Sequence, residues 1–510
     1  MISRVFSAQP SILGATIISL ETDLSRGLYA FGVVGLPDKA VEEARDRMSS
    51  AIKNSGFESP KSKNHKIVIS LAPADLKKEG PLFDLPMAIG YLLAAKEIAV
   101  TDSALSRTLF IGELGLDGTI RPVRGALSIV RTGAQHGFQE VIVPVENARE
   151  ASLIPGIIII PAHTLLDVVR HLDQTREDYQ KLTTHPYTPI EPLWGEGHVC
   201  FEDIKGQEGA KRGLLIAAAG RHNAIMVGPP GTGKTMLARA FQSILPPLST
   251  EEVLETTAIH SIAGIGEGNV ISLPPFRAPH HTASHTSLVG GGTHPRPGEV
   301  TLAHRGVLFM DEFPEFERRS LDALRQPLED RIVSISRVQG TAHFPADFIL
   351  LAAMNPHRGA FSDTGHEAHD MLESYKKRIS GPIMDRIDLW LPVAHISYED
   401  LTPQNTKPAH ARDETKRARE QVLRARERQR QRFDSDFKTN ATMSARDIEH
   451  TVPIARDVAM LLTESATKLK LSPRAFHRTI KVARTIADLD ASEDVSQQHV
   501  LEALQYRARL

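Results

Sequence analysis

The chain has 510 residues, enough for roughly two to four domains, and its net charge of −2 excludes a polycation that coats nucleic acid with its whole surface. Its one cysteine, Cys200, excludes a disulfide framework and a thiolate zinc site within one chain, which fits a reducing compartment. The N-terminus has no charged segment followed by an apolar one, and no apolar run approaches a membrane span, so a cytoplasmic protein without a membrane partner is expected.

Residues 1 to about 175 alternate strand-like and helical runs, the mark of an α/β unit. Thr16-Ile-Ile-Ser-Leu20 and Lys66-Ile-Val-Ile-Ser70 read as strands, and Lys39 to Asn54 reads as a helix. Gly156-Ile-Ile-Ile-Ile160 has only the length of a strand. A polar, proline-dotted linker is expected over 176–198.

Next comes Gly228-Pro-Pro-Gly-Thr-Gly-Lys-Thr235, preceded by the apolar run Asn223–Val227 and followed by the helical run Met236–Ala240. Strand, glycine turn and helix N-terminus are the context of a phosphate-binding loop. Gly228, Pro229, Pro230, Gly231, Thr232, Gly233, Lys234 and Thr235 are therefore the expected ATP contacts. Lys234 would reach the β- and γ-phosphates and the Thr235 hydroxyl would bind Mg²⁺. Histidines are dense from His280 to His294, but adjacent His280 and His281 are expected to point apart, a poor geometry for a metal.

Gly306-Val-Leu-Phe-Met-Asp-Glu312 reads as a buried strand ending in two acids. Asp311 would hold Mg²⁺ through water, and Glu312 would orient and deprotonate the attacking water. Arg331 to His343 alternates apolar and polar residues around Gln339-Gly340, a hairpin signal. The strand Asp347–Met354 ends at Asn355, a candidate sensor of the γ-phosphate, and His357, His366 and His369 follow. Another polar connector lies near 398–408, and the chain beyond it is helical in pattern. Its arginine-rich stretch from Glu414 to Arg432 is either an added nucleic-acid surface or a solvated face of Glu–Arg pairs.

The strand ending in Asp-Glu, the strand ending in Asn355 and Gly381-Pro-Ile-Met-Asp-Arg-Ile-Asp-Leu389 together resemble AAA+ ATPases of the magnesium-chelatase-like, helix-2-insert group. Phe276-Arg-Ala-Pro-His-His-Thr-Ala-Ser284, Leu288-Val-Gly-Gly-Gly292 and Pro295-Arg-Pro-Gly-Glu299 narrow the resemblance to the YifB/ComM family, over essentially the whole chain. The resemblance implies an N-terminal Lon-protease-like (ribosomal S5-like) α/β domain at 1–175, an AAA+ P-loop core with its helix-2 insert at 199–395, and a C-terminal helical lid at 396–510. It implies a homo-hexamer in which Arg386 enters the neighbouring subunit's site; a surface ion pair with Asp385 or Asp388 is the alternative. Leu471-Ser-Pro-Arg-Ala475 matches the sensor-2 motif and assigns nucleotide contact to Arg474, with Arg478 one turn on as the fallback. Gly206-Gln207 matches the segment that lies over adenine.

The same resemblance makes Gly290–Val300 the helix-2 insert and Arg331–His343 the pre-sensor-1 hairpin, with Arg296 and Arg337 as DNA contacts. It implies a motor on single-stranded or branched DNA, a helicase or branch-migration factor in homologous recombination and natural transformation, with recombination proteins among its partners. The alternative is an AAA+ ATPase that remodels a partner protein. Many relatives carry a cysteine cluster after the sensor asparagine, where this chain has Asn355-Pro-His-Arg-Gly359. Lys78–Met87 and Gly112–Gly125 resemble the Lon-type fold, but Asp84 stands where the serine nucleophile would be and Ser128 near the lysine position, so peptidase activity is not expected.

Overall fold

The computed structural model describes residues 2–191, 194, 199–265, 269–291, 296–337, 340–355, 379–395 and 413–507, with the side chains of 336–342 left aside. The chain divides into two compact units that do not follow its linear order. The first is Met1–Glu191 with Ser249–Ser272; the second is Pro192–Leu248 with Leu273–Leu510.

The first unit is built on a seven-stranded sheet. Ile2–Ser11 and Gly14–Arg26 form its central antiparallel pair; His65–Ala72 and then Ala30–Val34 extend it on one side. Thr108–Phe110, Glu140–Pro144 and Ile158–Ala162 extend it on the other, each parallel to the last. The helix Lys39–Asn54 starts where Asp38 accepts a hydrogen bond from the Val41 N–H at 2.9 Å. It buries Val41, Ala44, Met48, Ala51 and Ile52, the spacing of one helical face.

Ser249–Ser272 lies inside the expected 199–395 core in sequence, yet it packs in the first unit. Ser249 caps the helix Thr250–Ala263 in a reciprocal box with Glu252. Leu254 and Ala258 join the first unit's apolar core, the Gly125 N–H donates to Ser261 Oγ at 3.0 Å, and Arg131 pairs with Glu251 at 2.9 Å.

The second unit centres on a five-stranded, all-parallel sheet in the order Phe276–Arg277, Val307–Met310, Ile349–Met354, Ala224–Val227, Leu389–Pro392. Helices cover both faces of such a sheet, which is why Val307–Met310 and Ile349–Met354 are buried at every position. The helices Glu414–Phe433, Arg456–Lys468, Pro473–Leu489 and Gln497–Gln505 complete the unit through Val422, Ile480, Ile486 and Val500.

The arginine-rich helix matches neither of its two sequence readings in full. Arg424–Glu420 and Arg430–Glu427 are exposed pairs, but other arginines point inward. Arg419 donates to the Ser243 carbonyl at 2.8 Å and Arg426 to the Ala218 carbonyl at 2.9 Å, placing cations on the last carbonyls of two neighbouring helices. Arg432 forks onto the buried carboxylate of Asp488. Among the described residues no helix is long and apolar enough to cross a membrane.

Candidate nucleotide-binding site

The glycine loop follows the strand Ala224–Val227 and leads into the helix Lys234–Ser243. Gly231 and Gly233 have φ of +79° and +87°, a backbone that a side chain would strain. Gly228 is needed for a different reason: a Cβ there would lie 2.1 Å from the Val393 carbonyl oxygen. Thr232 Oγ1 closes the loop by donating to the Pro229 carbonyl at 2.9 Å. Lys234 is nearly buried and donates to the carbonyls of Gly228 and Pro229, both at 2.7 Å. Burial pushes its ammonium pKa down, so an anion arriving in the loop would meet a poorly solvated cation.

Pairing of Val307–Met310 with Ile349–Met354, and of the latter with Ala224–Val227, sets three strand tips side by side. Their tips bring Lys234, Thr235, Asp311, Glu312 and Asn355 around one cavity of about 660 Å³, with Pro230, Gly231 and Gly233 in its wall. Thr235 Oγ1 donates to Asp311 Oδ2 at 2.9 Å. A hydroxyl and a carboxylate this close suit Mg²⁺, which takes one or two protein oxygens and fills the rest of its shell from phosphate and water. Glu312 has φ of +51° and its N–H donates to Asp311 Oδ1 at 2.9 Å, so the candidate base sits on a strained backbone at the strand end.

Arg386 and Arg474 are not in that cavity. They line a second one of about 550 Å³ in the same unit, where Arg221, Arg331, Arg386, Arg474, Arg478 and Lys481 outnumber the acids Glu329, Asp385 and Asp388. Asn223 holds the Arg386 turn: its Nδ2 donates to the Arg386 carbonyl at 3.0 Å, and its Oδ1 accepts from the Leu350 N–H at 2.9 Å. Arg386 pairs with Glu329 and donates to the Pro382 carbonyl at 2.6 Å. Asp385 instead meets Arg478 at 3.5 Å, and Asp388 meets the buried His222 at 3.2 Å. Arg478 is further tied to the Ile387 carbonyl at 2.7 Å, whereas Arg474 is exposed and has no ion pair among the described residues.

Both expected loops form hairpins. Gly290–Gly291 pairs with Arg296–Pro297, its glycines so close to the opposite strand that a Cβ at Gly298 would lie 2.3 Å from the Gly290 nitrogen. Arg296 is exposed. Ile332–Arg337 pairs with Gly340–Pro345, with Arg337 opposite Gly340. The Arg337 backbone belongs to this hairpin, and its side chain lies outside the described part of the structure. His343 accepts or donates at Ser334 Oγ, 3.0 Å away.

His280 and His281 do not point apart: their rings are 4.1 Å between centroids and tilted by 33°. Among the described residues no group of three or more His, Cys, Asp or Glu is placed to hold a metal; His357, His366 and His369 lie outside the described residues. In the first unit, Asp84 is fully buried and takes a two-pronged bond from Arg47, at 2.6 and 3.0 Å. Burial pushes its carboxyl up to about 6 against the pull of Arg47. Ser128 is buried in the helix Ala126–Gln135.

Comparison with known proteins agrees with this architecture. The family model for magnesium chelatase, subunit ChlI, matches residues 200–401, one for subunit ChlI of Mg-chelatase matches 20–147, and one for the ChlI C-terminal region matches 412–507. Competence protein ComM of Haemophilus influenzae is 43% identical over 514 residues, covering 99% of this chain and 97% of its own. YifB of Salmonella typhimurium is 42% identical over 506 residues, covering 97% and 95%. Lon protease 2 of Bacillus subtilis is 31% identical over 179 residues, 30% of this chain and 32% of its own. A P-loop on an all-parallel sheet, three ChlI models in register along the chain and near-complete coverage by two relatives lead to one conclusion: the chain belongs to the YifB/ComM family of magnesium-chelatase-like AAA+ proteins.

Proposed function

We propose that the protein is an ATP-hydrolysing ring motor acting on DNA, whose catalytic sites are shared between adjacent subunits. The observation that carries this reading is the division of the machinery: Lys234, Thr235, Asp311, Glu312 and Asn355 line one cavity, while Arg386 and Arg474 line another, cation-rich one. In a ring, each subunit would offer its basic cavity to the neighbour's γ-phosphate, as a head-to-tail assembly such as a hexamer allows. Glu312 takes the proton of the attacking water, Lys234 binds the transferring phosphoryl group, Asn355 contacts it, and Arg386 with Arg474 stabilises the charge that spreads over its oxygens. Bound through Thr235 and Asp311, Mg²⁺ would neutralise charge on the β- and γ-oxygens.

Two features support DNA as the substrate. One of the relatives that cover nearly the whole chain is named for competence. The first hairpin presents Arg296 to solvent, and six such arginines around a pore would grip a phosphate backbone without reading bases. A DNA motor of this kind fits strand separation or branch migration during recombination. A protein-remodelling ATPase is the second reading, favoured by the chelatase models that match both units.

The deciding measurement is the steady-state ATPase rate with and without single-stranded and branched DNA, with Glu312→Gln as the blank. DNA is expected to stimulate turnover severalfold, with the stimulation fading between about 50 and 200 mM salt. Arg296→Ala and Arg337→Ala are each expected to weaken the stimulation and leave the DNA-free rate unchanged. A rate indifferent to DNA would move the substrate to a protein partner.

A further inference from the structure

We propose that His222 is a positioning residue for the neighbouring subunit's ATP site: it ties the turn that carries Arg386 to the helix that carries Arg474, so that both cations are presented together. This rests on the reading of the second, cation-rich cavity as the face a subunit offers to its neighbour. His222 lines neither cavity and is fully buried, so it acts only through other residues.

Local structure sets the imidazole between the two segments. The helix Glu208–Gly220 ends where Arg221 turns left-handed, at φ +58°, and the His222 N–H donates back to the Ala217 carbonyl at 3.1 Å. The ring then lies against the end of its own helix. A Cβ on Gly220 would come within 2.3 Å of the imidazole and 2.7 Å of Thr485 Oγ1, so the glycine is what admits both side chains.

From there the ring spans segments distant in sequence. Nδ1 lies 3.2 Å from Asp388 Oδ2; a carboxylate only accepts, so that nitrogen carries the proton. Nε2 lies 2.8 Å from Oγ1 of Thr485, in the helix Pro473–Leu489. On the first side, Asp388 closes the Arg386 turn. Its carboxylate accepts from the Asn223 N–H at 3.3 Å, and its own N–H donates to the Asn223 carbonyl at 2.9 Å. On the second side, Thr485 is fully buried and accepts from Asn440 Nδ2 at 3.1 Å, which also donates to the buried Asp488 at 2.8 Å. Arg474, Arg478 and Lys481 reach the second cavity from the same helix.

An apolar side chain would fill this space without the cost of desolvating polar groups. What a satisfied, two-ended polar bridge adds is a fixed arrangement of the parts it joins. Arg478, donating to the Ile387 carbonyl at 2.7 Å, is another tie between the same turn and helix. Two ties at different points fix the angle between them; without His222 the turn is free to pivot about Arg478.

The test is steady-state ATP hydrolysis by the full chain carrying His222→Ala, His222→Asn, Thr485→Val or Thr485→Ser, each alone and in a one-to-one mixture with Lys234→Ala. His222→Ala is expected to lower kcat by about 10- to 100-fold, the scale of a misplacement of about 1 Å, with KM within about twofold of wild type. Asparagine reaches Asp388 but not Thr485, and valine lacks the hydroxyl, so His222→Asn and Thr485→Val are expected to lose nearly as much. Thr485→Ser keeps the hydroxyl and should stay within about twofold of wild type.

The mixtures locate the defect. His222→Ala keeps an intact loop and Lys234→Ala keeps well-placed arginines, so about a quarter of head-to-tail contacts would regain full activity. Recovery to about a quarter of the wild-type rate is therefore expected. A defect in the subunit's own site would instead leave about half the rate of the unmixed variant, because half the chains are inactive. That result, with Arg386→Ala and Lys234→Ala still restoring each other, would overturn this proposal alone. So would unchanged kcat in His222→Asn and Thr485→Val, which carry the test if His222→Ala does not fold. No recovery between Arg386→Ala and Lys234→Ala would overturn the shared-site reading itself, and this proposal with it.

Discussion

Replacing Asp347 by alanine is expected to destabilise the ATPase unit by about 3–5 kcal/mol, the range for removing one partner from a buried ionic cluster. Its carboxylate meets Arg221 at 3.2 Å, Arg305 at 2.9 Å, and Arg331. The Asp347 carbonyl accepts from Arg221 at 3.0 Å, and the Asp347 N–H donates to His304 Nδ1 at 3.1 Å. The aspartate side chain is 10% exposed, so alanine would remove a buried carboxylate that three guanidinium groups share. Asp347→Asn keeps the volume and some hydrogen bonds but not the charge, and its cost should fall between alanine and wild type. The node matters for the site because Asp347 precedes the strand that ends at Asn355, while Arg331 precedes the second hairpin.

The surrounding arginines hold the Asp347 carboxyl well below the usual carboxylate range. A depressed folded-state pKa adds stability that is complete above the unfolded value, near ~4, and is lost only as pH falls below it. The Asp347→Ala deficit should therefore be the same at pH 6 and pH 8. Urea unfolding followed by circular dichroism measures both points. A cost under about 1 kcal/mol, the scale of an exposed pair, would show that the cluster is not the anchor its burial implies.

Arg386→Ala is expected to reduce ATP turnover by about 10³-fold or more, the scale of an arginine finger. Its activity should return when it is mixed with the equally inactive Lys234→Ala. In one subunit Lys234 and Arg386 line separate cavities, so a shared site needs an intact loop from one copy and an intact arginine from the next. In a one-to-one mixture about a quarter of head-to-tail contacts would join an intact loop to an intact arginine. Recovery to a comparable fraction of the wild-type rate is the expected result. No recovery, with mixed assembly verified by a tag on one variant, would mean that each subunit completes its own site. Arg474→Ala should complement Lys234→Ala in the same way.

Local chemistry makes much of the site legible in the sequence. A phosphate-binding loop carries its geometry in adjacent residues: Gly231 and Gly233 supply the positive φ, and the flanking strand and helix follow from short-range pattern. The helix Lys39–Asn54 was likewise readable to its ends, because Asp38 caps it and its apolar face repeats within the segment. The strands of the second hairpin are legible from their alternation, while the register that sets Arg337 opposite Gly340 is not.

What the amino-acid sequence determined, then, was each element that is stabilised by its own neighbours: the nucleotide loop, the acid-tipped strand, the capped helices and the family. Tertiary structure decided every choice of partner between distant segments. It placed Ser249–Ser272 in the first unit, drew Arg221, Arg305 and Arg331 onto Asp347, and turned the arginines of Glu414–Phe433 onto the ends of other helices. It also parted Arg386 and Arg474 from Lys234, and set His222 between Asp388 and Thr485. The reason is physical: a charged or polar side chain is satisfied by whichever opposite group the packing brings within about 3 Å, and sequence distance does not enter that condition.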